Sequence, residues 1–127
     1  MKQVSRLTEA ELDIMQVLWA QDGPIRPAQL LPLMCPTHEW SISTLQTLLD
    51  RLRIKGATAF KREKRFRYYY PAVTREEYVE AVTQTMINRI CDESAAAVII
   101  GLMQNNSFSE ADVESIREAA ELLSADR

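Results

Sequence analysis

Residues 40–72 read WSISTLQTLLDRLRIKGATAFKREKRFRYYYPA, and a change of period inside this stretch decides the fold. Leu45, Leu48, Leu49 and Leu52 recur at i, i+3, i+4 and i+7, the apolar stripe by which a helix meets a core. Ser41 precedes the stripe as an N-cap, with Trp40 before it as an apolar staple. Gly56 follows where a left-handed C-cap is needed. The helical period then stops. Ala57 to Arg62 and Phe66 to Ala72 are rich in β-branched and aromatic residues and predict two strands around a charged turn, Glu63-Lys64-Arg65. On the second strand Tyr69 faces opposite Tyr68 and Tyr70, and all three read as packing residues rather than stacking platforms.

Working outward, Thr8 and Glu11 form a capping box ahead of Ile14, Val17 and Leu18, and Gly23-Pro24 ends that first helix near Asp22. Pro27 suits the first turn of a second helix over Ala28 to Met34, which Pro32 is expected to kink or shorten. Cys35 to Glu39 reads as a connection. Helix, helix, helix, hairpin is the winged-helix order. Beyond it, Thr74 and Glu77 open a helix carrying Tyr78, Val82, Met86 and Ile90, and an apolar stretch runs from Ala95 to Met103. Gln104-Asn105-Asn106 interrupts, and Ser109 caps a last helix with Val113, Ile116, Ala120 and Leu123 on one face. The expected fold is mainly α with a small β-hairpin: a winged helix-turn-helix over residues 1–73, then a helical dimerisation region over 74–127. A segment of about 50 residues buries too little surface to be secure alone. Val82, Met86, Ile90, Val98, Ile99, Leu102, Val113, Ile116 and Leu123 are therefore expected to need a second copy, and twofold contacts are the commonest in homo-oligomers.

The net charge of −3 conceals a split. Residues 26–70 carry nine basic side chains against Glu39, Asp50 and Glu63, while residues 71–127 carry four basic and eleven acidic ones. A phosphate backbone responds to the local patch, because fields are screened within about 10 Å at ordinary salt. Opposite the leucine stripe lie Ser43, Thr44, Gln46, Thr47, Asp50 and Arg51, all able to hydrogen-bond. A helix with one apolar side and one side of short polar residues and arginine fits the major groove of double-stranded DNA. Ser43, Thr44, Gln46, Thr47 and Arg51 are the expected base readers. Ser41 at the helix N-terminus and Lys55, Lys61, Arg62, Lys64, Arg65 and Arg67 are the expected backbone contacts.

Other classes find little purchase. His38 is the only histidine and no cluster with metal-ligand spacing surrounds it, so neither a metal nor another cofactor is expected, and the chain does not read as an enzyme. A nucleophile pair of Cys35 and His38 lacks an orienting third group. Cys35 and Cys91 read as free thiols, and the absence of a long apolar run or leader predicts a cytoplasmic protein with no membrane partner. Two further readings of the same fold are a protein-interaction module and a repressor that senses a ligand or thiol chemistry through Cys91.

Several segments together resemble the penicillinase repressor family, the BlaI/MecI type related to copper-responsive CopY repressors. They are Leu7 to Met15 with Leu18-Trp19, Trp40 to Leu52 with Lys55-Gly56, Arg67 to Pro71, and Glu76-Glu77-Tyr78. The resemblance implies a homodimer that blocks transcription at a palindromic operator, of β-lactam resistance or related stress genes. It also implies removal by a sensor-linked protease that cuts an Asn–Phe bond in the penultimate helix. Here Gly101-Leu102 stands at that place, and the cysteine-rich C-terminal metal motif of the copper-responsive relatives is missing, so induction by that cut or by copper is not expected.

Overall fold

The computed structural model describes residues 6–34, 38–90 and 95–125; Cys35 and Cys91 lie outside them. The elements are α1 (Glu9–Trp19), α2 (Pro27–Met34), α3 (Ile42–Ile54), β1 (Thr58–Glu63), β2 (Phe66–Pro71), α4 (Arg75–Ile90), α5 (Ala95–Asn105) and α6 (Glu110–Ala125). They divide into two compact units, Met1–Thr85 and Met86–Arg127. None of the helices among the described residues is long and apolar enough to cross a membrane.

In the first unit three helices and the hairpin close on one core. Ile14, Met15 and Leu18 of α1 meet Leu30 and Met34 of α2 and all four leucines of α3, and Ala57, Tyr69, Val73 and Tyr78 complete the cluster. The α1 capping box forms as expected, with the Thr8 N–H donating to Glu11 Oε1 at 2.8 Å and the Glu11 N–H to Thr8 Oγ1 at 3.2 Å. α1 ends at Trp19, short of the expected stop near Asp22. Residues 24–26 then leave the helical path because Ile25 pairs with the hairpin: its N–H donates to the Tyr69 carbonyl at 2.9 Å and its carbonyl accepts from the Tyr69 N–H at 2.8 Å. α2 runs unbroken through Pro32. Only the Pro32-to-Ala28 backbone bond is lost, and both residues are exposed, so the orphaned carbonyl has access to water.

The hairpin is tighter than its sequence implied. Glu63 pairs with Phe66, leaving Lys64-Arg65 as a two-residue turn, and Lys64 takes φ 57°, in the left-handed region that favours glycine. The first unit also extends past the hairpin. The Trp19 indole N–H donates to the Val73 carbonyl at 2.9 Å, and its ring meets that of Tyr78 at 5.9 Å.

In the second unit, α5 and α6 bury none of their residues. Ile99 and Leu102 of α5 and Val113 and Leu123 of α6 are exposed, Leu123 at 72%, while Val98 and Ile116 are half-buried. Along α4, whose residues up to Thr85 belong to the first unit, Val82 is exposed and Met86 half-buried; the Ile90 side chain lies outside the described residues. Side chains cap the helix ends here. Asn105 and Asn106 donate to the Gly101 and Leu102 carbonyls at 2.8 and 2.7 Å, and Ser109 and Asp112 exchange bonds at the start of α6.

Candidate nucleic-acid interface

α3 is fixed at both ends. The Thr44 N–H donates to Ser41 Oγ at 3.2 Å. At the other end Gly56 takes φ 85°, and the Ala57 and Gly56 N–H groups reach the Leu52 and Arg53 carbonyls at 2.9 and 3.0 Å. This six-to-one, five-to-two pair satisfies carbonyls that a helix end leaves open. With the four leucines buried, the opposite row is Ser43, Thr47, Asp50 and Ile54, spaced i, i+4, i+7 and i+11. Ser43 and Thr47 are exposed and Asp50 is half-buried. Thr47 Oγ1 also donates to the Ser43 carbonyl at 2.9 Å. Gln46 flanks the row on one side, Thr44 and Arg51 on the other, and all three are exposed. The expected base readers therefore share one accessible side. Ile54, 78% exposed, is an apolar member of the row that the sequence reading did not single out.

Ile42, Gln46 and Asp50 form one wall of a cleft of about 470 Å³, and Arg26, Arg65 and Arg67 lie on its other walls. The register explains how the hairpin reaches it. Cross-strand partners share a face, so Phe60 and Tyr69 lie on one side together with the opposed pair Arg62 and Arg67. Like charges facing each other cost stability in the free protein; an anion lying over them removes that cost. Three arginines rest on aromatic rings: Arg67 lies 4.5 Å and Arg53 5.9 Å from the Phe60 centroid, and Arg26 lies 3.9 Å from that of Phe66. Such stacking restricts rotamers before any ligand arrives. Arg26 and Arg53 were visible in the sequence only as members of a basic stretch; the rings that orient them come from distant positions.

Two of the expected backbone cations are placed elsewhere. Lys61 belongs to the other face of the hairpin, its Nζ 3.9 Å from Glu63 Oε1, and it lines a separate cleft with Trp19 and Arg75. Lys55 is turned into the domain. Its Nζ lies 2.6 Å from Oε1 of Glu11, which is 1% exposed, and donates to the Arg6 carbonyl at 3.2 Å. Burial works against ionisation of Glu11, but the Lys55 hydrogen bond, the bonds from Thr8 and the Lys55 charge outweigh it and hold the carboxyl below its ordinary value. Glu11 Oε2 finds no partner among the described residues. Glu11, the capping-box carboxylate of α1, thus straps the end of α3 to the start of α1. His38 does similar work at the other end of α3, with Nε2 2.7 Å from Asp13 Oδ2 and its ring stacked on Trp40 at 4.0 Å.

A reading helix with a polar outer row, beside a hairpin lined with stacked arginines, defines a winged-helix DNA-binding protein. The penicillinase repressor family matches residues 7–121. The chain belongs to that family, whose members are DNA-binding transcriptional repressors and not enzymes. It is 26% identical over 121 residues to the penicillinase repressor of Bacillus licheniformis, covering 95% of this chain and 94% of that one. It is 20% identical over 111 residues to the methicillin resistance regulatory protein MecI of Staphylococcus aureus, covering 87% and 89%. Among solved structures, the DNA-binding domain of the repressor BlaI is similar with a TM-score of 0.53 and 33% identity, over 61% of this chain and 94% of that one. Monomeric Bacillus licheniformis BlaI in complex with the blaP half-operator is similar with a TM-score of 0.51, at the same identity and coverage.

Proposed function

We propose that two copies of the chain occupy one palindromic operator in the cytoplasm and block transcription of the genes beside it. Ser43, Thr44, Gln46, Thr47 and Arg51 read base edges. Ser41 and the N-terminus of α3, with Arg62, Lys64, Arg65 and Arg67, hold the phosphates. The observation that carries this reading is the shared cleft, where Gln46 and Asp50 of α3 meet Arg65 and the ring-stacked Arg26 and Arg67. The solved complex of a relative with a half-operator supports one first unit per half-site. A second copy covers the apolar positions of α4, α5 and α6, because α5 and α6, which bury none of their residues, gain little from folding alone. The relatives' names point to control of β-lactam resistance or a related stress response. Relief of repression by a sensor-linked protease would need a bond other than Asn–Phe, since Gly101-Leu102 stands there.

Sedimentation of the full chain with footprinting on genomic fragments tests this. The expected result is a dimer at micromolar concentration protecting an inverted repeat. A monomer with undiminished affinity, or protection without symmetry, overturns it.

A further inference from the structure

Asp50 is out of place on a surface built for phosphate. It occupies the outer row of α3, one turn beyond Gln46 and Thr47, and it is half-buried where those two neighbours are exposed. It lines the cleft that also holds Arg26, Arg65 and Arg67, yet none of the ion pairs found among the described residues includes it. A carboxylate there repels every phosphate that approaches, which lowers affinity for all sequences alike. It offers acceptors and no donor. In the major groove the partners for such a group are exocyclic amino groups, above all the cytosine N4 amino group.

We propose that Asp50 selects a cytosine within each half-site by accepting a hydrogen bond from its N4 amino group. The inference rests on the reading of α3 as the base-reading helix and adds a residue and a base to it. Asp50 is half-buried at the cleft wall, and its short side chain limits its reach to base edges close to α3. The cleft arginines keep the local field positive, so that the single negative charge costs general affinity without abolishing it. Guanine and thymine present only acceptors at the corresponding positions, and thymine adds a methyl group, so both are rejected rather than merely unrewarded.

The test is selection of duplexes from a randomised library by the full-length wild type, Asp50→Asn and Asp50→Ala, followed by titration of the selected duplexes. Cytosine should dominate one position of the wild-type consensus. Asp50→Asn should shift that position toward adenine, the base whose amino group and N7 an amide pairs with, and lose about tenfold on the cytosine duplex. Asp50→Ala should lose the preference there and keep it elsewhere. If all three proteins select the same consensus and the variants bind every duplex more tightly, Asp50 acts by repulsion alone and the proposal fails. If the wild type selects no sequence, the base-reading assignment of α3 fails with it.

Discussion

Lys55 shows how a single side chain can be assigned by tertiary structure against its sequence neighbourhood. It stands in the basic stretch, but its ammonium is held between the buried Glu11 carboxylate and the Arg6 carbonyl. Removing one partner of a buried pair leaves the other charge unsatisfied. Lys55→Met should therefore lower unfolding free energy by about 2–4 kcal/mol in urea titration, while the salt slope of DNA binding stays unchanged. A fall of that slope by one unit would put Lys55 on a phosphate after all. Glu11 gives the same strap a pH signature. Its native carboxyl value is depressed, so its contribution is fully present above the unfolded value of about 4.3 and is lost as pH falls through the lower native value. Glu11→Gln should be less stable than wild type at pH 7, and the difference should shrink as the pH drops below about 4. A gap that stays constant with pH would show that Glu11 acts only through packing.

At the level of elements, the hairpin separates charge from backbone strain at one position. Lys64 is a cation at the turn and also a non-glycine residue at φ 57°. Lys64→Gly should stabilise the domain by about 0.5–1 kcal/mol, by relieving that conformation, and should reduce the salt slope by about one unit if the ammonium meets a phosphate. Melting and binding measured on the same variant read the two effects independently. Arg67→Gln offers the matching test on the inner face, with weaker binding to all duplexes and no change in base preference. If Arg67→Gln changes which base is preferred, the inner face of the hairpin reads sequence as well as shape. Most elements were legible because their signals are local: a leucine stripe, three capping pairs and the tyrosine alternation. The pairing of Ile25 with Tyr69 was not legible, since a two-bond bridge leaves no period in the sequence. The second helix was legible over Ala28 to Met34, but that Pro32 would leave it its full length was not, because tolerance of a proline depends on which side of the helix meets water.

For the whole molecule, the first unit reaches beyond the hairpin into α4. Val73 and Tyr78 are buried in its core, and Trp19 bonds to the Val73 carbonyl. A chain stopped after Thr85 should fold, remain monomeric and bind a full operator on the order of 100-fold more weakly than the intact protein, because the second half-site no longer binds intramolecularly. A chain stopped after Ala72 should lose cooperative melting as well. Undiminished operator affinity in the Thr85 chain would remove the case for dimerisation through α5 and α6.

Sequence alone determined the order of elements, the sides of α3 and the location of the basic stretch, because periodicity and capping act over a few residues. It also carried the family, through segments spread from residue 7 to residue 78. Tertiary structure decided which cations face the cleft. Arg67 lines it and Lys61 does not, because strand register assigns alternate residues to opposite faces. It also gave Arg26 and Arg53 their aromatic supports and placed Lys55 on a carboxylate 44 residues away. The physical reason is common to all of these. A charge takes its role from whatever lies within a few ångströms of it, and for these side chains the partner comes from another element that only folding brings near.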